Sequence, residues 1–268
     1  MERPNWVSSE VDLGRPSAAR VYDYYLGGSH NLEIDRRMAR EAISLWGDLP
    51  TIMQSNRAFL RRAVRYVASQ GITQFLDIGS GIPTVGNVHE VAQQADSQAR
   101  VVYVDNDPVA VSHSRAILAR TERTAVVHAD LRDAESILEH PLVTGTIDLD
   151  RPVALLMVAV LHFVPDEDDP FGALARMRDR LAPGSHLVLS HASADGRPEV
   201  AGSHRELYRR TATPMTMRSR GEISRFFDGF QMVAPGLVWL PLWRPDEAGD
   251  ADLPPERTTG FAGVGRTE

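Results

Sequence analysis

Two short apolar runs, each ending at a carboxylate, constrain this chain more than any other feature. The first, Phe75-Leu76-Asp77-Ile78-Gly79-Ser80-Gly81, passes straight into a glycine-rich turn; the second is Val101-Val102-Tyr103-Val104-Asp105. Short apolar runs bounded by turn signals read as buried strands. In an open α/β sheet, ligands bind outside the carboxyl ends of the strands, at the point where strand order reverses. Gly79 and Gly81 let backbone approach a ligand without an intervening Cβ, and Asp105 is placed to accept hydrogen bonds from a ribose diol. The pattern implies a nucleoside-cofactor site and leaves the cofactor to be decided.

From Ile72 the chain alternates strand, turn and helix, with strands expected over 74–78, 101–104, 125–128, 153–159 and 186–190. Asp107-Pro108 and Asp169-Pro170 each place an N-cap acid before a proline at the first helical position, opening helices over 108–119 and 171–181. Ser219 and Glu222 have capping-box spacing. Phe230 to Trp239 divides around Ala234-Pro235-Gly236 into two further strands, expected as an antiparallel pair at the sheet edge. Seven strands with alternating helices predict an α/β, doubly wound, mostly parallel sheet.

Three helices are expected ahead of it. Ser17 is a plausible cap for Ala18 to Leu26, and a second helix covers about Asp35 to Trp46. A third carries Ile52, Asn56, Phe59, Leu60, Ala63, Val64 and Val67 at helical spacing, with Arg57, Arg61, Arg62 and Arg65 mainly on the solvated side. The expected division is a flexible arm over 1–16, a helical extension or lid over 17–71, a core over 72–244 and a loose tail over 245–268. Pro254-Pro255 and several glycines mark that tail as unpatterned.

A formal charge of −7 disfavours nucleic acid as a partner. The absence of cysteine excludes disulfides, thiolate metal sites and cysteine nucleophiles. With no signal-peptide pattern and no apolar run of the roughly 18–20 residues that cross a bilayer, a cytoplasmic protein without a membrane partner is expected; oligomeric state stays open. A diphosphate-binding turn wants a third small residue, and Thr84 fails that test in Gly79-Ser80-Gly81-Ile82-Pro83-Thr84. No Lys or Arg between Asp77 and Val88 balances a phosphate, and Asp77 would repel one. An acid there suits a ligand bearing positive charge.

Asp77-x-Gly79-x-Gly81 after a strand, with Asp105 closing the next, resembles the class I S-adenosylmethionine-dependent methyltransferases. That cofactor's ammonium and sulfonium groups account for carboxylates in place of a phosphate cradle. His128-Ala129-Asp130-Leu131 matches a third position of the family, which implies that Asp130 receives the adenine amino group while a neighbouring backbone N–H reaches the ring. The segment Ala159 to Asp166 is similar to the one after strand four in many small-molecule methyltransferases, and lacks the Asn/Asp-Pro-Pro-aromatic motif of nucleobase enzymes. A closer resemblance, carried by Ala19 to Gly28, Asn56 to Leu60, Gln74 to Gly79, Val104 to Pro108 and Pro183 to Leu187, is to an actinobacterial family of such methyltransferases first classed as a domain of unknown function. It implies fold and cofactor and supplies no substrate.

The cofactor set is therefore Asp77, Gly79, Ser80, Gly81, Asp105, Asn106, Asp130 and Leu131, with Tyr22, Asn31 and Arg57 from the extension; no metal is expected. An aromatic face beside a sulfonium gains about 1–2 kcal/mol when dry, although Tyr22 and Tyr25 serve equally well as packing residues. His162, after strand four, is the candidate base for a hydroxyl acceptor, with His191 at the matching end of strand five; a hydrogen-bonded strand-end histidine is the competing reading for both. The acidic run Asp166 to Asp169 reads as a solvated loop that caps the next helix. Pocket walls are expected from the N-terminal helices and from 191–218, which holds His204, Tyr208, Met215 and Met217. The reaction implied is in-line methyl transfer to a small organic acceptor, leaving S-adenosylhomocysteine. A non-catalytic S-adenosylmethionine-binding module and, more distantly, a nicotinamide-dependent oxidoreductase are the alternatives.

Overall fold

A computed structural model of the protein describes residues 14–83, 86–209, 211, 214–246 and 253–268. The expected flexible arm thus falls, up to residue 13, outside the described residues, as do 247–252 of the expected tail.

Helices α1 (Ala18–Tyr25), α2 (Glu33–Leu45) and α3 (Leu49–Ser69) come first. The alternating part runs β1 (Gln74–Ile78), α4 (Val88–Ala95), β2 (Arg100–Asp105), α5 (Pro108–Leu118), β3 (Thr124–His128), α6 (Ala134–Leu138), α7 (Pro141–Thr146) and β4 (Ala154–Val158). It continues through α8 (Pro170–Arg178), β5 (His186–Ala192), α9 (Pro198–Tyr208), α10 (Arg220–Ser224), β6 (Gln231–Met232), β7 (Val238–Trp239) and β8 (Gly260–Arg266). The caps behave as their chemistry requires: Asp107 accepts from Val109 N–H, Asp169 from Gly172 N–H, and Ser219 with Glu222 closes a capping box.

Strand order is β3-β2-β1-β4-β5-β8-β6, with β7 also on β8. The first five strands are parallel, and β8 runs antiparallel to β5, β6 and β7. Order reverses between β1 and β4, which puts the ligand-binding crevice at their carboxyl ends. Side-chain alternation divides the apolar residues between two faces. Phe75, Val101, Tyr103, Leu156 and Val188 pack with α1–α4; Leu76, Ile78, Val102, Leu155 and Leu187 pack toward α6–α8. Both faces are covered, so β1 is buried throughout and β4 up to the half-buried Val158.

Three expectations require correction. The sheet has eight strands, because Gly260–Arg266 of the expected loose tail forms β8 inside it. β6 and β7 do not pair with each other; each pairs with β8. Arg62 is not on the solvated side of α3: it is buried and donates to the carbonyls of Trp243 and Leu240, at 2.9 Å each, tying the helix to the C-terminal segment.

The glycines of β8 reflect close packing. A Cβ at Gly265 would lie 2.7 Å from Phe230 Cβ and 3.1 Å from Phe227, so the aromatics after α10 rest directly on strand backbone. Gly265→Ala is expected to destabilise the protein by about 1–3 kcal/mol through overpacking. Urea unfolding that leaves the midpoint unchanged would show the contact to be slack.

Candidate functional site

A cavity of about 490 Å³ opens at the carboxyl ends of β1, β2 and β4, closed on one side by α1 and α3. Of the residues expected at the cofactor, it brings together Tyr22, Arg57, Asp77, Gly79, Ser80, Gly81, Asp105, Asn106, Asp130 and Leu131. Asn31 is not among them. Its amide donates to Asp23 Oδ2 at 2.8 Å and to the Gly28 carbonyl at 2.9 Å, which makes it a buttress for Asp23, itself a lining residue.

The glycine turn is used differently from what the sequence suggested. Gly79 N–H and Ser80 N–H both donate to the Val104 carbonyl, at 2.8 and 3.2 Å, and Gly81 N–H donates to Asp105 Oδ2 at 2.7 Å. All three amides are thus spent on the end of β2, and α4 does not begin until Val88. Those three amides are therefore not free to hold a diphosphate. Gly79 is required for two local reasons: its φ is +70°, and a Cβ there would lie 2.2 Å from Val160.

The acids differ sharply in state. Burial pushes the Asp77 carboxyl up to about 7, against the pull of Arg57 and with added repulsion from Asp105. Burial likewise raises Asp105 to about 6, opposed by the amides of Asp107 and Gly81. Asp130 moves the other way, to about 2, because Arg132 grips it, with Nε 2.9 Å from Oδ1 and NH2 on Oδ2. Asp130 therefore reaches the rim already neutralised, and an adenine amino group has to share it with Arg132. Asp77 and Asp105 are buried carboxyls whose ionised forms a cationic or hydrogen-bond-donating ligand would stabilise.

Buried polar contacts tie the N-terminal wall to the core. Arg20 and Asp35, both buried, pair at 2.7 Å; Asp35 also accepts from the amides of Leu32 and Ser17. Ser17 Oγ in turn donates to Asp107, the cap of α5. A second relay crosses from α3 to the strand ends. Ala159, at φ +57°, donates its N–H to Ser190 Oγ at 3.0 Å; Ser190 Oγ donates to Asn56 Oδ1 at 2.6 Å; Asn56 Nδ2 donates to Tyr22 Oη at 2.9 Å. Asn56 was readable only as a polar residue on the apolar face of α3, and that mismatch was its signal.

Beyond this relay lies a second cavity of about 60 Å³, lined in part by Tyr22, Trp46, Met53, His162, Phe163, His204, Tyr208, Met215 and Met217. His162 lines this cavity and not the larger one. Its Nδ1 accepts from Ala192 N–H at 3.3 Å, and burial holds its pKa well below the usual imidazole range. The neutral ring therefore carries its hydrogen on Nε2 and offers a donor; the expected role of proton acceptor does not fit. His191 is fully engaged: Nδ1–H meets the Ala192 carbonyl at 2.7 Å and Nε2 accepts from Arg218 at 2.9 Å. The acidic run is absorbed locally, Asp166 by Arg218, Asp168 by Arg132 and Asp169 by the start of α8. Among the described residues no cluster of His, Asp and Glu is suited to a metal, and no helix is long and apolar enough to cross a membrane.

A family model described as S-adenosyl methyltransferase matches residues 4–268. The chain belongs to that family. Its cofactor is S-adenosylmethionine, and the buried carboxylates of the larger cavity suit that molecule's charge. No curated protein matches the sequence. Among solved structures, a protein of Thermobifida fusca described as a candidate methyltransferase is 43% identical, with a TM-score of 0.90 over 96% of this chain and 97% of that one. A DUF574 family protein of Streptomyces avermitilis is 40% identical, with a TM-score of 0.91 over 95% and 98%. Mitomycin 7-O-methyltransferase MmcR, 18% identical with a TM-score of 0.51 over 86% and 57%, shares the fold alone.

The buried Arg20–Asp35 pair makes a direct test of the wall. Asp35→Ala removes the acceptor of two amides and leaves Arg20 with Asp107 at 3.9 Å and the Arg15 carbonyl, and is expected to cost about 3 kcal/mol of stability. Denaturant unfolding within 1 kcal/mol or so of wild type would show that α1 is held by other contacts.

Proposed function

We propose that this methyltransferase binds S-adenosylmethionine in the larger cavity and passes its methyl group to a small organic acceptor that enters between the N-terminal helices and the ends of β4 and β5. When bound, the cofactor supplies a methyl carbon already activated by a sulfonium. Asp77 and Asp105 supply negative charge in a site where burial magnifies it. Asp105 is suited to the ribose hydroxyls, since each oxygen accepts one backbone amide and retains a lone pair. Asp77, whose ionised form Arg57 favours and burial opposes, is suited to the cationic end. α1 and α3 exclude water, and the Ala159–Ser190–Asn56–Tyr22 relay fixes the boundary across which donor and acceptor meet. Alignment of this kind supplies on the order of 7–11 kcal/mol in favourable cases. His162 contributes an N–H able to orient an acceptor oxygen.

The observation that carries this reading is the pairing of two buried carboxyls of raised proton affinity with a glycine turn whose amides are already bonded. Such buried carboxylates favour a cation, and the glycine turn lacks the free amides that a diphosphate takes. Calorimetric titration with S-adenosylmethionine, S-adenosylhomocysteine and NAD tests it directly. Tight NAD binding with no response to the sulfur compounds overturns the assignment. Asp105→Ala is expected to weaken the sulfur cofactors by about 1.5–3 kcal/mol, the range for a hydrogen bond to a charged group.

A pH dependence follows from the raised carboxyls. In the free protein Asp77 binds a proton up to about pH 7 and Asp105 up to about pH 6. A cation favours their ionised forms, so its binding expels protons and affinity rises with pH until both groups are ionised, then levels. The dissociation constant is expected to fall between about pH 5.5 and 7.5, with proton release visible in buffers of different ionisation heat. A flat profile, or tighter binding in acid, removes these carboxylates from the cationic site. Asp77→Asn is expected to flatten the upper part of the curve.

A further inference from the structure

We propose that Asp168, in the loop after β4, receives the exocyclic amino group of the cofactor's base, and that Asp130 serves as a positioning residue for Arg132. This inference rests on the reading that the larger cavity holds S-adenosylmethionine. With the cationic end at Asp77 and the ribose at Asp105, the base lies beyond β2, toward the end of β3. Asp130, Arg132 and Asp168 all line the cavity.

Asp130 has its acceptor sites filled. Its Oδ1 accepts from the Arg132 backbone N–H at 3.0 Å and from Arg132 Nε at 2.9 Å. Its Oδ2 accepts from Arg132 Nη2 at 2.5 Å and from Asn106 Nδ2 at 3.3 Å. A carboxylate offers about four lone-pair sites, and these donors occupy them. An amino group reaching Asp130 has to displace one, and a bidentate guanidinium is a strong partner to compete with. Asp168 differs. Arg132 Nη1 donates to its Oδ2 at 3.0 Å, no other side-chain or backbone donor reaches its carboxylate among the described residues, and its side chain is 34% exposed. One guanidinium touches both acids, so the two carboxyls flank the same stretch of the rim.

The acidic run after β4 singles out the same residue. Of Asp166, Glu167, Asp168 and Asp169, only Asp168 lines the cavity. Asp166 is held by Arg218, and Asp169 caps α8. The loop is fixed from behind, because the buried Arg218 donates to the carbonyls of Leu161 at 3.1 Å and Val164 at 2.8 Å. Asp168 is thereby presented to the cavity by an anchored segment and steadied by Arg132. Asn106 Oδ1 also remains at this rim, as a neutral amide oxygen on an exposed residue. A hydrogen bond to an ionised acceptor is roughly twice as strong, which favours Asp168.

The test titrates the full chain calorimetrically with S-adenosylhomocysteine and with its 6-deamino analogue, whose purine carries hydrogen in place of the amino group. Wild type is expected to bind the amino form roughly tenfold more tightly, the lower end for a hydrogen bond to a charged group. Asp168→Ala is expected to bring that ratio to within about twofold by weakening S-adenosylhomocysteine alone. Asp168→Asn, which keeps an uncharged oxygen acceptor, is expected to retain part of it and serves as the second variant. Asp130→Asn is expected to weaken both compounds alike and leave most of the ratio standing, since Asp130 acts through Arg132. A wild-type ratio near one shows that the amino group is not read and overturns the proposal. So does an undiminished ratio in both Asp168 variants, or a ratio lost in Asp130→Asn. If neither compound binds wild type, the cofactor reading itself falls; if both bind and the ratios fail, the assignment of the amino group alone is wrong.

Discussion

The site depends on the desolvation of Asp77. A carboxylate at the end of a central parallel strand, beneath α3 and beside a second buried acid, is unfavourable in isolation, and its proton affinity rises accordingly. Opposite charge in the cavity reverses that penalty. The same burial that makes the empty arrangement costly makes its attraction for a cation strong, because little solvent is left to screen it. Asp105 repeats the logic less severely, since two backbone amides already stabilise its charge. Asp130, gripped by Arg132 at the rim, has left that regime altogether.

The surrounding structure keeps this electrostatic arrangement dry and fixed. The glycine turn folds back on β2 and spends its amides there, which sets the position of Asp105 relative to Asp77. Val160 fills the space where a side chain at residue 79 would stand. On the opposite side, the buried Arg20–Asp35 pair and the Ser17–Asp107 contact fasten the extension to the start of α5. The N-terminal helices form one wall of the larger cavity. The larger cavity is lined by Asp77 and Asp105 near β1 and β2, and the smaller one beside β4 and β5 by no Asp, Glu, Lys or Arg among the described residues.

The histidines show how tertiary hydrogen bonds decide chemistry that residue type leaves open. His162, His191 and His204 all line the same small cavity. His191 is clamped at both nitrogens, and His162 has committed the lone pair that a base would need. Only His204, on a helix separated from the strands in sequence, is left with both nitrogens unpaired. Sequence order pointed to His162 because it follows β4; the partners pointed elsewhere.

Local chemistry determined much of this protein. The β1 and β2 runs, the Asp-Pro helix starts, the capping box at Ser219 and the helical face of α3 are short-range patterns, and the structure places them within a residue or two of the expected bounds. The convergence of Asp77, Asp105 and Asp130 was legible too, because parallel strands of known order must bring their carboxyl ends together. Whatever depended on partners distant in sequence was not legible. The glycines of β8 read as looseness until Phe227 and Phe230 were seen lying on them, and Arg62 read as solvated until the carbonyls of Leu240 and Trp243 reached it. Asn31 read as a ligand contact until Asp23 claimed it. A sequence records which groups can ionise or hydrogen-bond; only the fold, by bringing distant partners together, settles which of them are already satisfied.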